Sequence, residues 1–244
     1  MTAGIAAFTL DSPHNRNALS VGLANELAAH LGRAAEDPSV RAVLLTHTGE
    51  TFCSGIDLAE ARAGTGLSAS QLASLLRTVV ETPKPVVARV TGHVRAGGLG
   101  LLGACDIVVA GPAASFAFTE VRIGLAPAVL STTVLPRLDS RAVSRYYLTG
   151  ERFDSAEAAR IGLITLAADD VDEALEPILA GLRSAAPGAL AAAKRLTTMA
   201  AREFFDAHAG ELTALAGRLG ESAEAREGIA SFLDRRFTTK KESL

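Results

Sequence analysis

Gly97 and Gly98 stand where a loop should become a short helix, inside Gly92-His93-Val94-Arg95-Ala96-Gly97-Gly98-Leu99-Gly100-Leu101-Leu102-Gly103-Ala104-Cys105-Asp106. Residues without a Cβ let backbone N–H groups come close to a ligand, and the first N–H groups of a helix lack partners at the positive end of its dipole. The chemistry this predicts is binding of an anion or stabilisation of a developing oxyanion. Two other readings compete with it. Gly98-Leu99-Gly100-Leu101-Leu102-Gly103 matches the G-x-G-x-x-G dinucleotide fingerprint, with Glu120 about 20 residues on as a ribose acid. Against that, residues 91–96 separate the motif from its strand, and the next strand carries its acid, Asp106, at its start rather than its end. The third reading is structural: small residues that let a helix pack closely. An oxyanion site needs a second donor.

The elements around the motif supply one. The apolar, β-branched runs 85–90 and 107–110 read as strands flanking it. Residues 40–46 form another strand, whose unbroken apolar core suits burial on both faces of a sheet. After it comes Gly49-Glu50-Thr51-Phe52-Cys53-Ser54-Gly55-Ile56-Asp57-Leu58, a loop with a glycine just before a helix start. The two strand-and-loop units are separated by a helix over 70–81, so their loops are expected on one side of a sheet, with one N–H from each converging on a single oxygen.

The remaining pattern extends this plan. Ile5–Leu10 reads as a strand, 11–17 as a turn-rich loop, and Ser20 as the cap of a helix reaching about Glu36 with Leu23, Leu27 and Leu31 on one face. Ser115-Phe116-Ala117-Phe118 alternates like a strand and delivers Glu120 to a loop end, where a carboxylate is ordinarily exposed in a surface ion pair. A helical segment broken at Leu135-Pro136-Arg137 resumes over 140–148, and a helix at Ser155–Arg160 and a strand over 163–167 close the core. From Val171 onward Ala and Leu recur at helical spacing, and Pro177, Pro187, Gly210 and Gly220 are expected to punctuate three or four helices. The expected division is a core over 1–170 and a helical appendage over 171–244.

With 244 residues and 48% hydrophobic content, one ordinary domain with a substantial core is predicted. A net charge of −3, with 24 basic residues scattered among 27 acidic ones, argues against a nucleic-acid or membrane surface. Cys53 and Cys105 lie far apart among apolar or small residues and read as reduced thiols of a cytoplasmic protein. Residues 1–10 carry no charged leader and no apolar run reaches the ~18 residues of a membrane span, so a soluble, untargeted chain is expected. No His, Cys and Asp cluster has metal-ligand spacing, and no G-x-S-x-G elbow or P-loop is present.

Set side by side, Phe52-Cys53-Ser54-Gly55-Ile56-Asp57-Leu58 and Ala96-Gly97-Gly98 followed by Cys105-Asp106 resemble the crotonase, or enoyl-CoA hydratase/isomerase, family. The likeness covers nearly the whole chain. Pro13 with Asn17-Ala18-Leu19, Leu148-Thr149-Gly150 with Ala156, Ile161-Gly162-Leu163 and Glu227-Gly228-Ile229-Ala230-Ser231-Phe232-Leu233 follow in the family's order. The resemblance implies an α/β fold, a crotonase-like spiral of β-β-α units with a C-terminal helical trimerisation region, assembling as a homotrimer or a dimer of trimers. It implies an acyl-CoA thioester substrate, with coenzyme A as part of that substrate and no separate cofactor. The thioester oxygen would face the N–H groups of Ser54 and Gly97, and Glu120 would be the catalytic acid/base. Asn15, Arg16, Gly55, Ile56 and Asp57 would line the CoA site, and Phe232 and Arg235 would cover its adenine; His14 and Arg95 are further candidates near its phosphates.

One departure bears on the reaction. The family's hydratases carry two glutamates, and the first position is Gly100 here. The segment Gly124-Leu125-Ala126-Pro127-Ala128-Val129-Leu130-Ser131 resembles the branch of methylglutaconyl-CoA and carboxygeranoyl-CoA hydratase-like proteins, which also lack that glutamate. The implied activity is a hydratase-type lyase acting on a 2,3-enoyl-CoA. The alternatives are a Δ3,Δ2-enoyl-CoA isomerase, which needs one carboxylate, and a non-catalytic acyl-CoA binder. The strand that precedes Ile5 in the family has no counterpart, so the sheet is expected to be trimmed at that edge.

Overall fold

The computed structural model describes residues 4–241, with side chains through Asp234. β1 (Ile5–Leu10) leads through a short 3-10 turn at Pro13–Asn15 into α1 (Val21–Glu36), capped by Ser20 Oγ, which accepts the Leu23 N–H at 3.1 Å. Three windings follow. The first contains β2 (Ala42–His47), β3 (Thr51–Cys53), α2 (Leu58–Arg62) and α3 (Ala69–Glu81); the second, β4 (Val86–Val90), β5 (His93–Arg95) and α4 (Gly97–Ala104). The third contains β6 (Ile107–Ala110), β7 (Ser115–Ala117), a 3-10 turn at Glu120–Ile123, α5 (Ser131–Val134) and α6 (Ser140–Thr149). β8 (Phe153–Asp154), α7 (Ser155–Arg160) and β9 (Leu166–Ala167) close the core, and α8 (Val171–Ser184), α9 (Pro187–Thr197), α10 (Met199–Gly220) and α11 (Ala223–Lys241) complete the chain.

Each winding gives its first strand to one sheet and its second to another. The larger sheet is parallel throughout, in the order β1-β2-β4-β6-β9; the smaller runs β3-β5-β7-β8, with only β8 antiparallel. This is the expected spiral of β-β-α units. The inner strands of the larger sheet are apolar on both faces because both are covered. Val86, Ala88 and Val90 join the main core, while Ala42, Val87 and Val109 on the other face pack against Val171, Leu175 and Leu179 of α8.

Four local expectations are corrected. The loops read over 49–58 and 91–96 each contain a strand, β3 and β5, too short at three residues for an alternating pattern to register. The closing strand is Leu166–Ala167 rather than 163–167, because the Leu163 and Ile164 N–H groups turn back to the Ala158 carbonyl. Pro177 does not end its helix: it lies exposed within α8, where the carbonyl it leaves unpaired meets solvent and the buried stripe of Val171, Leu175 and Leu179 holds the helix in place. Gly210 likewise sits on an exposed face inside α10.

The helices after Val171 are tied into the core. Ala201 and Phe205 of α10 belong to the main core, and α11 packs on the turn after Glu120. Lys194 of α9 is buried and places Nζ 2.8 Å from Asp106 Oδ2 while donating to the carbonyls of Val79 and Lys84.

Candidate active site

Three neighbouring parallel strands of the smaller sheet end at one edge. β3 delivers Ser54, β5 delivers Ala96 and Gly97, and β7 delivers Thr119 and Glu120. Adjacent strands lie roughly 4.8 Å apart, so the two proposed donors are one strand apart and Glu120 one further. The sequence pattern assigned the two donor loops to strands of the larger sheet, whereas β3 and β5 of the smaller sheet carry them; Glu120 follows the strand at 115–118, as read from the sequence.

The two donor loops touch. Gly55 has φ +94°, and a Cβ there would lie 2.9 Å from Ala96 Cβ and 3.2 Å from the Gly97 nitrogen. Only glycine allows both the conformation and the approach. Ala96, just before α4, holds φ 49° and ψ −126°, a strained conformation for a residue with a Cβ. Its N–H donates to the Ala117 carbonyl and its own carbonyl accepts from Leu99, which fixes the turn so that Gly97 opens α4. The Gly97 N–H therefore has no partner within the helix.

The glycines of the fingerprint-like run serve close packing inside α4, which is wholly buried. A Cβ on Gly98 would meet Cys53 O at 2.8 Å, on Gly100 Leu130 Cβ at 2.7 Å, and on Gly103 Thr133 O at 3.0 Å. The structural reading thus holds for Gly98, Gly100 and Gly103, while β5 occupies the gap that separates the motif from β4. At Gly97 itself such a Cβ would meet only ordinary van der Waals contacts, the nearest atoms being Gly55 Cα and the Ile56 nitrogen at 3.6 Å.

Behind the first donor lies a knot that sequence reasoning missed. Asn17, fully buried with φ 52°, donates from Nδ2 to the carbonyls of Thr48 (2.9 Å) and Thr51 (2.7 Å), and its Oδ1 accepts from the Ser12 N–H (2.6 Å). Leu19 exchanges backbone bonds with Gly55 and Asp57. Asn17 stood inside a recognised motif, but its role depends on the chain returning past it some 30 residues later.

Asn15 and Asp57, expected at the CoA site, are brought together: Asn15 Nδ2 donates to Asp57 Oδ2 at 2.9 Å. Asp57 Oδ1 also accepts the Ala59 and Glu60 N–H groups as the cap of α2, and Ser54 Oγ lies 3.4 Å from the Asn15 carbonyl. These side chains brace the loop, next to Ile56. Arg16 borders a pocket of about 210 Å³ with Pro13, Thr48, Gly49, Glu50 and Thr51. Arg95 is committed elsewhere, donating to the Val94 and Ser115 carbonyls and to Ser115 Oγ, and His14 is exposed beside Ser12. Phe232 is half-buried on α11, whereas the Arg235 side chain lies outside the described residues.

Glu120 departs from the ordinary exposed carboxylate. It is 8% exposed, its Oε2 is buried with no hydrogen-bond partner, and burial pushes its pKa up to about 7. Phe118, buried two residues earlier, packs at a tilt against Tyr147 of α6 with ring centroids 4.6 Å apart, and the Tyr147 hydroxyl lies 3.2 Å from Ser131 Oγ. Tyr147 carried no sequence signal, and Ser131 only closed the 124–131 segment. Both Cys53 and Cys105 are buried with thiols raised to about 12, which suits packing rather than nucleophilic work. Among the described residues no cluster of His, Cys, Asp and Glu could hold a metal, and no helix is long and apolar enough to cross a membrane.

A site with two backbone donors at one sheet edge and one buried carboxylate beside them can stabilise an enolate while moving a proton. Comparisons with known proteins bear on the whole chain. The family model described as enoyl-CoA hydratase/isomerase matches residues 1–242. A protein of Rhodobacter capsulatus named "Probable enoyl-CoA hydratase" is 36% identical, covering 97% of this chain and 94% of its own. The crystal structure of an enoyl-CoA hydratase from Mycobacterium avium is 51% identical with TM-score 0.88, over 95% of this chain and 92% of that one. A carnitinyl-CoA hydratase from the same organism is 28% identical with TM-score 0.86, covering 96% and 94%.

Proposed function

This chain belongs to the enoyl-CoA hydratase/isomerase family, and from that premise we propose that it is an enoyl-CoA hydratase using Glu120 as its one acid/base. The observation that carries this reading is the buried, unpartnered Glu120 carboxyl at the same sheet edge as Ser54 and Gly97. The ionised carboxylate takes a proton from water as the water oxygen bonds to C3 of a 2,3-enoyl thioester. Electrons move onto the thioester oxygen, whose charge the Ser54 and Gly97 N–H groups hold. The enolate collapses, C2 takes the proton from Glu120, and the carboxylate is regenerated.

The Δ3,Δ2-isomerase is the second reading, favoured by Leu130 filling the space beside Gly100. That reaction needs one carboxylate to remove a proton from C2 and return it to C4. A panel of short, branched and long 2-enoyl and 3-enoyl thioesters decides between them by mass: addition of water marks the hydratase, and a shifted double bond with unchanged mass marks the isomerase. No turnover on any thioester, with acetoacetyl-CoA bound in calorimetry, would leave the non-catalytic binder.

The assembly we propose is a homotrimer or a dimer of trimers joined through the C-terminal helices of 171–244. Leu196 and Met199 are 70% and 54% exposed, and with Ala192 they line a groove of about 520 Å³ rimmed by charged side chains such as Arg195 and Glu203. Exposed apolar side chains set among polar ones mark an interface. Two buried free thiols support a reducing, cytoplasmic setting.

A further inference from the structure

A water molecule that attacks C3 has two O–H bonds, and Glu120 accepts only one of them in the reaction proposed above. Gly100 offers no second acceptor, since Leu130 covers its Cα. Among the polar groups near the Glu120 segment are Ser131 of α5 and Tyr147 of α6, the latter close enough to feel the Glu120 charge. Ser131 Oγ donates to the Pro127 carbonyl at 2.6 Å, which uses the only proton that hydroxyl has. The 3.2 Å contact between Ser131 and Tyr147 then has Tyr147 as donor. With its proton turned toward Ser131, the Tyr147 oxygen keeps its lone pairs for another donor.

We propose that the Tyr147 hydroxyl oxygen accepts one hydrogen of the attacking water while Glu120 takes the other, so that Ser131 and Tyr147 orient the nucleophile. Four observations place it there. The Tyr147 ring packs at a tilt against Phe118, two residues before Glu120; its hydroxyl is held in a fixed donor direction by buried Ser131; the Glu120 Oε2 atom has no partner; and α6 packs on the turn that carries Glu120. Burial raises the Tyr147 phenol, the hydrogen bond with Ser131 lowers it and the Glu120 charge raises it, and the net shift is upward, so the hydroxyl stays protonated and can keep its bond to Ser131. Water positioned between two oxygen acceptors adds from one direction only, which sets the face of C3 that is hydrated.

This rests on the hydratase reading, and one pair of assays separates the two. Hydration of crotonyl-CoA needs an oriented water; exchange of the C2 hydrogens of butyryl-CoA for deuterium in D2O needs only Glu120 and the two backbone donors. Tyr147→Phe keeps the ring on Phe118 and is expected to lower kcat for hydration about 10- to 100-fold with KM within about twofold, while C2 exchange stays within about threefold of wild type. Ser131→Ala is expected to follow the same pattern more weakly, and Glu120→Gln to lose both reactions. Wild-type hydration in Tyr147→Phe, or equal loss of hydration and exchange in a variant that melts like wild type, would overturn the proposal alone. A wild-type enzyme that exchanges C2 deuterium but hydrates no enoyl thioester would remove the hydratase reading and this inference with it.

Discussion

Leu130 occupies the space that a side chain at residue 100 would need: a Cβ built on Gly100 would lie 2.7 Å from Leu130 Cβ and 3.2 Å from Leu76 Cδ1. The absence of a second carboxylate is therefore built into two helices at once. Gly100→Glu alone would force α4 and α5 apart and bury a charge without a partner, at a cost of several kcal/mol. The expected outcome is a chain that is insoluble or melts far below wild type. Gly100→Glu combined with Leu130→Gly should recover folding, and if water addition is the native reaction its rate should then match or exceed wild type. The comparison needs only thermal melts and a hydration assay.

Glu120→Gln is expected to lower kcat by at least ~10²-fold, the lower end for a general acid/base group, with binding of acetoacetyl-CoA nearly unchanged. In the wild type the acid limb of the activity profile should fall near pH 7, because the carboxylate must be ionised to accept a proton and burial raises its pKa to about 7. Full activity in the Gln variant would remove Glu120 from the mechanism.

The same shift has a stability consequence of opposite sign to the usual carboxylate. With a folded value near 7 against an ordinary 4.5, the unfolded chain ionises first as pH rises, so the folded state loses stability between those values. The full loss above pH 7 is about 3 kcal/mol. Glu120→Gln should melt close to wild type at pH 4.5 and progressively higher than wild type up to about pH 7, with a constant difference above that. A difference independent of pH would show that burial does not penalise the charged form.

Asn17→Ala removes three hydrogen bonds from a fully buried side chain and leaves the Ser12 N–H and the Thr48 and Thr51 carbonyls to be satisfied otherwise. A loss of about 2–4 kcal/mol in urea unfolding is expected. Because the knot sits directly behind Ser54, kcat/KM should fall further than in Lys194→Met, which perturbs a site remote from the oxyanion loops.

Lys194→Met leaves Asp106 buried without its counterion, since Nζ and Asp106 Oδ2 are 2.8 Å apart and both side chains are largely shielded. Breaking such a pair from one side costs about 3–5 kcal/mol. Adding Asp106→Asn should return part of that, because the buried charge disappears, although the Val86 N–H loses a charged acceptor. Equal destabilisation in the single and double variants would mean that the carbonyl contacts to Val79 and Lys84, not the ion pair, carry the effect.

Glu substitutions at Leu196 and Met199 place charges on the most exposed apolar part of α9 and α10. Light scattering should show the assembled wild type dissociating toward monomer in the double variant, with the circular dichroism spectrum preserved. An unchanged mass would move the interface elsewhere.

Much of this protein was determined by local pattern. Apolar runs marked β2, β4 and β6 because a strand buried on both faces must be apolar throughout, a mostly apolar run marked the edge strand β1, and Ser20 marked the start of α1 because a hydroxyl there can take an orphan N–H. The glycines at 55 and 97, with Glu120, marked the site as residue types suited to its chemistry. What tertiary structure decided were the properties that arise only when distant segments meet. Glu120 reads as an exposed loop carboxylate until Phe118, Tyr147 and α11 close around it and strip its solvent. β3 and β5 are three residues each and become strands by pairing, β3 with β5 and β5 also with β7. Asn15 and Asp57, 42 residues apart, spend their hydrogen bonds on each other, and Tyr147 acquires a direction for its proton only because Ser131 has already given its own to Pro127. Periodicity reports which face of an element is buried; desolvation and the sharing of hydrogen bonds depend on what the chain brings back against that face.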